Sequence, residues 1–181
     1  GSVVEKVLGN AAASLLGERR FLKESELENA IAILMHARRV EFYGVGNSGI
    51  VAQDAQHKFF RFGMSTVAYV DTHTQLMAAS VLTEQDVLVA ISNTGSSIEL
   101  LDAASIAKEN GASVIALTRN DSPLAQMADC VLSIATKENA ELYTPMVSRL
   151  LQLAVIDILA IGLALRLGDT ASTQLQKSKK S

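Results

Sequence analysis

Two hydrophobic rhythms alternate along this chain. Five short runs read as strands, 39–43, 65–70, 87–91, 113–118 and 130–135, and 87–91 is continuously apolar. A run like 87–91 predicts a strand buried on both faces. Between them, apolar residues recur every three or four positions, which predicts amphipathic helices. The first, Val3 to Phe21, carries Val4, Val7, Leu8, Ala11, Ala12, Leu15 and Leu16 on one stripe. Ser25-Glu26-Leu27-Glu28 matches a capping box, with Leu27, Ala30, Ile31 and Leu34 as the buried face of the helix it opens. Further helices are predicted from Ile50 to Phe62, ended by Gly63, from Gln75 to Leu82, and from Ile98 to Asn110. Asp121 or Ser122 caps a short helix from Leu124 to Ala128, with Pro123 in its first turn. The last helix is expected to run from Thr144 to Leu167 and to stop at Gly168, leaving 171–181 as a polar, frayed tail.

Strands that alternate with helices imply a parallel sheet with helices on both faces and right-handed crossovers. A five-stranded, doubly wound α/β sheet is expected in the flavodoxin-like order 2-1-3-4-5. Its topological switch point lies between the first and third strands. The domain is expected to occupy residues 3–170, and Gly1-Ser2 reads as a tag-cleavage scar.

Composition narrows the class. With 181 residues and 49% hydrophobic content, the chain has room for one full core. A net charge of −3 gives no electrostatic footprint for nucleic acid. Cys130 is the single cysteine, so neither a disulfide framework nor a cysteine metal cluster is expected, and a reducing cytoplasm fits. No metal or cofactor is expected. The apolar run Leu150 to Leu167 is broken by Gln152, Asp157 and Arg166, which suits a core or interface helix better than a membrane span.

The candidate chemistry sits where strands end. Ser92-Asn93-Thr94-Gly95-Ser96-Ser97 separates the third strand from its helix with six small residues, four of them hydroxylic. An ordinary N-cap needs only one such residue. A helix N-terminus offers unpaired N–H groups and partial positive charge, a glycine lets the backbone close around an anion, and hydroxyls add donors. The loop therefore reads as a phosphate cradle. Gly44-Val45-Gly46-Asn47-Ser48-Gly49, after the first strand, matches the dinucleotide fingerprint in spacing, and Asp71 stands where a ribose-binding acid would fall. A compact phosphate explains Ser48 within that loop better than a pyrophosphate does, and the fingerprint does not call for a second hydroxyl loop. His73 follows the second strand, in a position to reach the same crevice. His57, Lys58 and Arg61 read as a solvated helix face, and Glu99 as a complement to its helix dipole.

Gly46-Asn47-Ser48, Ile91 to Glu99 and the final-helix segment Val147 to Asp157 together resemble a sugar isomerase (SIS) domain, of the kind found as the effector domain of RpiR-family bacterial transcriptional regulators. The resemblance implies a phosphosugar-binding domain that reports to an upstream helix-turn-helix domain, absent here. It places the phosphate on Ser48, Ser92, Thr94 and Ser97, with backbone help from Asn93 and Gly95, Asn47 alongside, and His73 on sugar hydroxyls. Gly44–Gly49 with Asp54-Ala55-Gln56-His57-Lys58-Phe59 resembles the branch that controls hexose catabolism. That branch implies 2-keto-3-deoxy-6-phosphogluconate as effector, which would release operator DNA. Its carboxylate would need Lys58, Arg119 or Arg149. Pairing of such domains implies a homodimer. The alternative is an aldose–ketose isomerase, which needs a carboxylate base. Ser148, Gln152 and Val155 on the final helix supply none, while Glu138 and Glu141 precede it.

Overall fold

The computed structural model describes residues 1–135 and 144–180. Five parallel strands, β1 (Arg39–Tyr43), β2 (Ser65–Tyr69), β3 (Asp86–Ile91), β4 (Ser113–Thr118) and β5 (Cys130–Ser133), form one sheet in the order β2-β1-β3-β4-β5, as expected. Register aligns Tyr43 with Tyr69 on one side and with Ala90 on the other, so β1, β2 and β3 end level with one another.

Side chains alternate through the sheet with period two. Val40, Phe42, Val87, Val89, Ile91, Ile115 and Leu117 face one core, shared with helices α2 (Glu24–Met35), α3 (Asn47–Phe59) and α7 (Thr144–Lys180). Tyr43, Leu88, Ala90, Val114 and Ala116 face the other, shared with α4 (Thr72–Ala79), α5 (Ile98–Glu109) and α6 (Pro123–Met127). β3 is buried at every position, which its central place in the sheet requires. Cys130 lies in the first core, and burial pushes its thiol up to about 11, so it is an inert packing residue.

Several boundaries differ from the sequence expectation. Helix α1 (Val3–Gly17) gives way to a 3-10 turn at Glu18–Arg20, and Ser2 caps it by accepting from the Glu5 N–H. Helix α2 begins before Ser25: the Glu26 carboxylate accepts from the Lys23 N–H at 3.2 Å, so Glu26 closes the first turn and Ser25 lies inside it. Helix α3 starts at Asn47 rather than Ile50, which puts the second half of the glycine loop into its first turn. Asp71 caps α4, drawing Thr72, His73 and Thr74 into the helix. Strand β5 is two residues shorter than expected: Ile134 still donates its N–H to the Thr118 carbonyl, and Ala135 donates to Glu18 instead. Gly168 does not stop α7, which continues to Lys180. One glycine costs a helix interior about 1 kcal/mol, too little to end it where no proline follows.

Candidate functional site

At the switch point, the carboxyl ends of β1 and β3 each lead into a glycine-bearing loop and then a helix N-terminus. The two loops are shaped by contact. A Cβ on Gly44 would lie 2.4 Å from the Ser48 carbonyl oxygen, so only glycine lets α3 turn directly off β1. Gly95 has φ +62°, and a Cβ there would meet Ser122 Oγ at 2.3 Å and Thr118 Oγ1 at 2.6 Å. Its carbonyl accepts from the Leu124 N–H at 3.0 Å, tying the β3–α5 loop to α6.

Ser92 is buried and accepts the Gly95 N–H on its Oγ at 2.9 Å. That bond folds the loop and leaves the serine proton available to a ligand. Thr94 Oγ1 accepts from Ser96, and Ser97 Oγ lies 3.4 Å from the Glu99 carboxylate it donates to. On the neighbouring loop, Ser48 meets Gln152 of α7: Gln152 Nε2 lies 3.1 Å and Oε1 3.4 Å from Ser48 Oγ. Beneath both, the fully buried Gln75 of α4 donates to the carbonyls of Gly44 (3.2 Å) and Tyr69 (2.8 Å), locking the ends of β1 and β2 together.

A contrast marks these two helices. Helices α1, α4 and α6 start under a side-chain cap from Ser2, Asp71 and Ser122 respectively. Helices α3 and α5 have none, although Asn47 stands at the first position of α3 and Ser97 at the cap of α5. No N-cap side chain thus covers the first turns of α3 and α5, which leaves N–H donors and positive dipole ends at the switch point.

The structure therefore brings Asn47 and Ser48 beside the loop that carries Ser92, Asn93, Thr94, Gly95 and Ser97. His73 is exposed in the first turn of α4, at the end of the edge strand β2 and next to the first loop, with no side-chain hydrogen bond among the described residues. Asp71 accepts from the Thr74 N–H and hydroxyl, and those bonds hold its carboxyl below the usual range. The candidate ribose acid thus serves as the N-cap of α4. Lys58 pairs with Asp54 and Asp157, pinning α3 to α7. Gln152 and Gln75 carry weak sequence signals: each has polar residues one turn before it and apolar ones one turn after, and only the fold shows which backbone or hydroxyl it meets.

Residues 33–162 match the SIS domain family model. The chain belongs to the SIS domain family. It is 43% identical over 176 residues to the HTH-type transcriptional regulator HexR of Pseudomonas aeruginosa, covering 97% of this chain and 62% of that protein. It is 48% identical over 165 residues to the bifunctional protein glk of Burkholderia orbicola, covering 91% of this chain and 26% of that protein. The chain thus spans less than two thirds of the length of these curated relatives. Among solved structures, the Vibrio vulnificus NanR protein complexed with ManNAc-6P superposes with a TM-score of 0.87 at 24% identity, over 99% of this chain and 68% of that one. The sugar isomerase domain of an RpiR transcription factor from Sphaerobacter thermophilus gives 0.83 at 24% identity, over the full length of both. The resemblance of the glycine loop and Asp54–Phe59 to HexR accords with the first of these relatives. The bifunctional setting of the second carries no signal within this SIS domain.

Proposed function

We propose that this SIS domain is a phosphosugar sensor that binds without converting its ligand. The observation that carries the reading is the pair of helix N-termini at the switch point without an N-cap side chain, one with Ser48 in its first turn and one preceded by the loop of Ser92. Ser48, Ser92, Thr94 and Ser97 donate to the phosphate, Asn93 and Gly95 contribute backbone N–H groups, Asn47 flanks it, and His73 reaches the sugar hydroxyls. The likeness to HexR supports a role in a cytoplasmic transcriptional regulator, with a helix-turn-helix domain supplying the DNA contact. NanR, with ManNAc-6P bound, supports a phosphosugar as the class of ligand. A module shared by HexR and a bifunctional protein glk fits a property useful in both settings, and sensing a phosphosugar is one.

Within that class we propose 2-keto-3-deoxy-6-phosphogluconate. Lys58 is an unsuitable partner for its carboxylate: it lies ten residues beyond Ser48 (58 − 48), about 15 Å along the helix, and is held by two aspartates. Arg119, just past β4, and Arg149, one turn before Gln152, remain for the role. A sensor rather than an isomerase is favoured by Gln152, a neutral amide buried at the crevice where proton transfer would need a carboxylate. Glu138 and Glu141 lie outside the described residues.

Calorimetric titration tests the reading. 2-Keto-3-deoxy-6-phosphogluconate should bind and be recovered unchanged. Ser48→Ala or Ser92→Ala should weaken it about 10- to 150-fold, the value of roughly 1.5–3 kcal/mol for a hydrogen bond to a charged group. Ser14→Ala, in α1, is the control and should bind like the parent. Wild-type affinity in both crevice variants would remove the phosphate from these loops, and turnover of the ligand seen by NMR would make the domain an isomerase.

A further inference from the structure

Gln152 is out of place by composition. It is 1% exposed on the face of α7 that buries Val147, Leu151, Val155, Ile156 and Leu159 in the core. A side-chain amide in such surroundings is costly unless its donors and acceptor are used, and an apolar residue there would pack without that penalty. Its one described partner is Ser48 Oγ. The glutamine is almost wholly buried while Ser48 is only half-buried, so the amide is the more confined of the two.

We infer that Gln152 is a positioning residue for the Ser48 hydroxyl, an inference that rests on the phosphate reading above. A serine has one proton to donate and two lone pairs to offer. Gln152 Nε2–H donates into one lone pair at 3.1 Å, the shorter of the two contacts. The competing use of the serine proton, donation to Gln152 Oε1, is stretched to 3.4 Å and is given up readily. An arriving phosphate oxygen accepts the hydrogen bond from that hydroxyl while the Nε2 donor stays in place and polarises it. Two aligned hydrogen bonds in series, amide to serine to phosphate, strengthen each other. The arrangement also selects for an amide. A carboxylate at 152 would accept the Ser48 proton itself and set a negative charge beside the phosphate.

A double-mutant cycle read by phosphorus NMR titration with inorganic phosphate tests this, using the parent, Ser48→Ala, Gln152→Met and the double variant. Gln152→Met, close in shape, should weaken phosphate about 2- to 12-fold, the loss of one neutral hydrogen bond. In the Ser48→Ala background the same change should cost nothing further, because the group it positions is gone. Gln152→Glu should abolish binding at pH 8 and recover part of it as the pH falls and the carboxyl protonates. An equal penalty for Gln152→Met in both backgrounds, or none in either, overturns the inference while a weakened Ser48→Ala leaves the phosphate site standing. A Ser48→Ala protein that binds phosphate like the parent overturns both. If Gln152→Met fails to fold, Gln152→Leu completes the same cycle.

Discussion

Single atoms decide the shape of the cradle. Gly95 has no room for a methyl group, since both Thr118 and Ser122 stand within van der Waals overlap of its Cβ position and its φ is left-handed. Ser122 cannot give way cheaply, because its hydroxyl donates to the Arg119 carbonyl and accepts from the Ala125 N–H. Gly95→Ala should therefore cost roughly 2–5 kcal/mol in urea unfolding, the sum of overpacking and left-handed strain. An alanine variant as stable as the parent would mean that the loop has room for a methyl group. Glu18 is the other residue whose environment is extreme. Burial, with the Glu26 carboxylate close by, pushes it up to about 7 against the opposing Ala135 N–H, and its Oε2 has no described partner. Its folded value thus exceeds its unfolded value of 4.5. Between the two, the native state keeps a proton that the unfolded chain has released, so stability falls as pH rises from about 4.5 to 7 and levels off above. Glu18→Gln should flatten that slope and leave the protein roughly 1–3 kcal/mol more stable than the parent at pH 8. Urea midpoints at pH 5 and 8 report it, and an unchanged slope would place the burden elsewhere.

At the scale of elements, α7 does the most. Its buried stripe completes the core against α2 and α3, it carries Gln152 to the first loop, and its Asp157 meets Lys58. Residues Met146–Gly168 are long and apolar enough to cross a membrane, yet the stripe from Val147 to Leu163 packs within the domain. The helix then passes through Gly168, which lacks the positive φ of a C-cap glycine and has nothing within 4 Å of its Cβ position. Gly168→Ala should consequently raise stability by about 0.5–1 kcal/mol. A C-cap at this position would reverse the sign, so thermal unfolding of the alanine variant discriminates directly between a helix that stops and one that continues.

The whole molecule presents more apolar surface than one sheet requires. Val3, Val4, Leu8, Leu15 and Leu16 of α1 and Ile158, Ile161 and Leu165 of α7 are all exposed, on two helices that touch. Patches of that extent on a folded domain mark association surfaces. We expect a symmetric homodimer across these helices. Light scattering at micromolar concentration should give twice the chain mass of 19.3 kDa, and a monomer mass would refute the pairing.

What the sequence determined by itself was periodicity and local chemistry. Five strand-like runs separated by helical stripes left few topologies open, because parallel crossovers have one hand and a doubly wound sheet has one switch point. Small residues after β1 and β3 announced the two loops, since backbone that approaches an anion or another helix excludes bulk. Tertiary structure decided whatever depends on which distant atom lies opposite. Whether Asp71 binds or caps, whether Gly168 ends a helix, and what Gln152, Gln75 and Glu18 touch are not written in their own neighbourhoods in the chain. Gln152 meets Ser48 from 104 residues away, and Glu18 meets Ala135 from 117. A buried polar group answers to whichever partner the packed fold sets beside it, and no local rhythm carries that information.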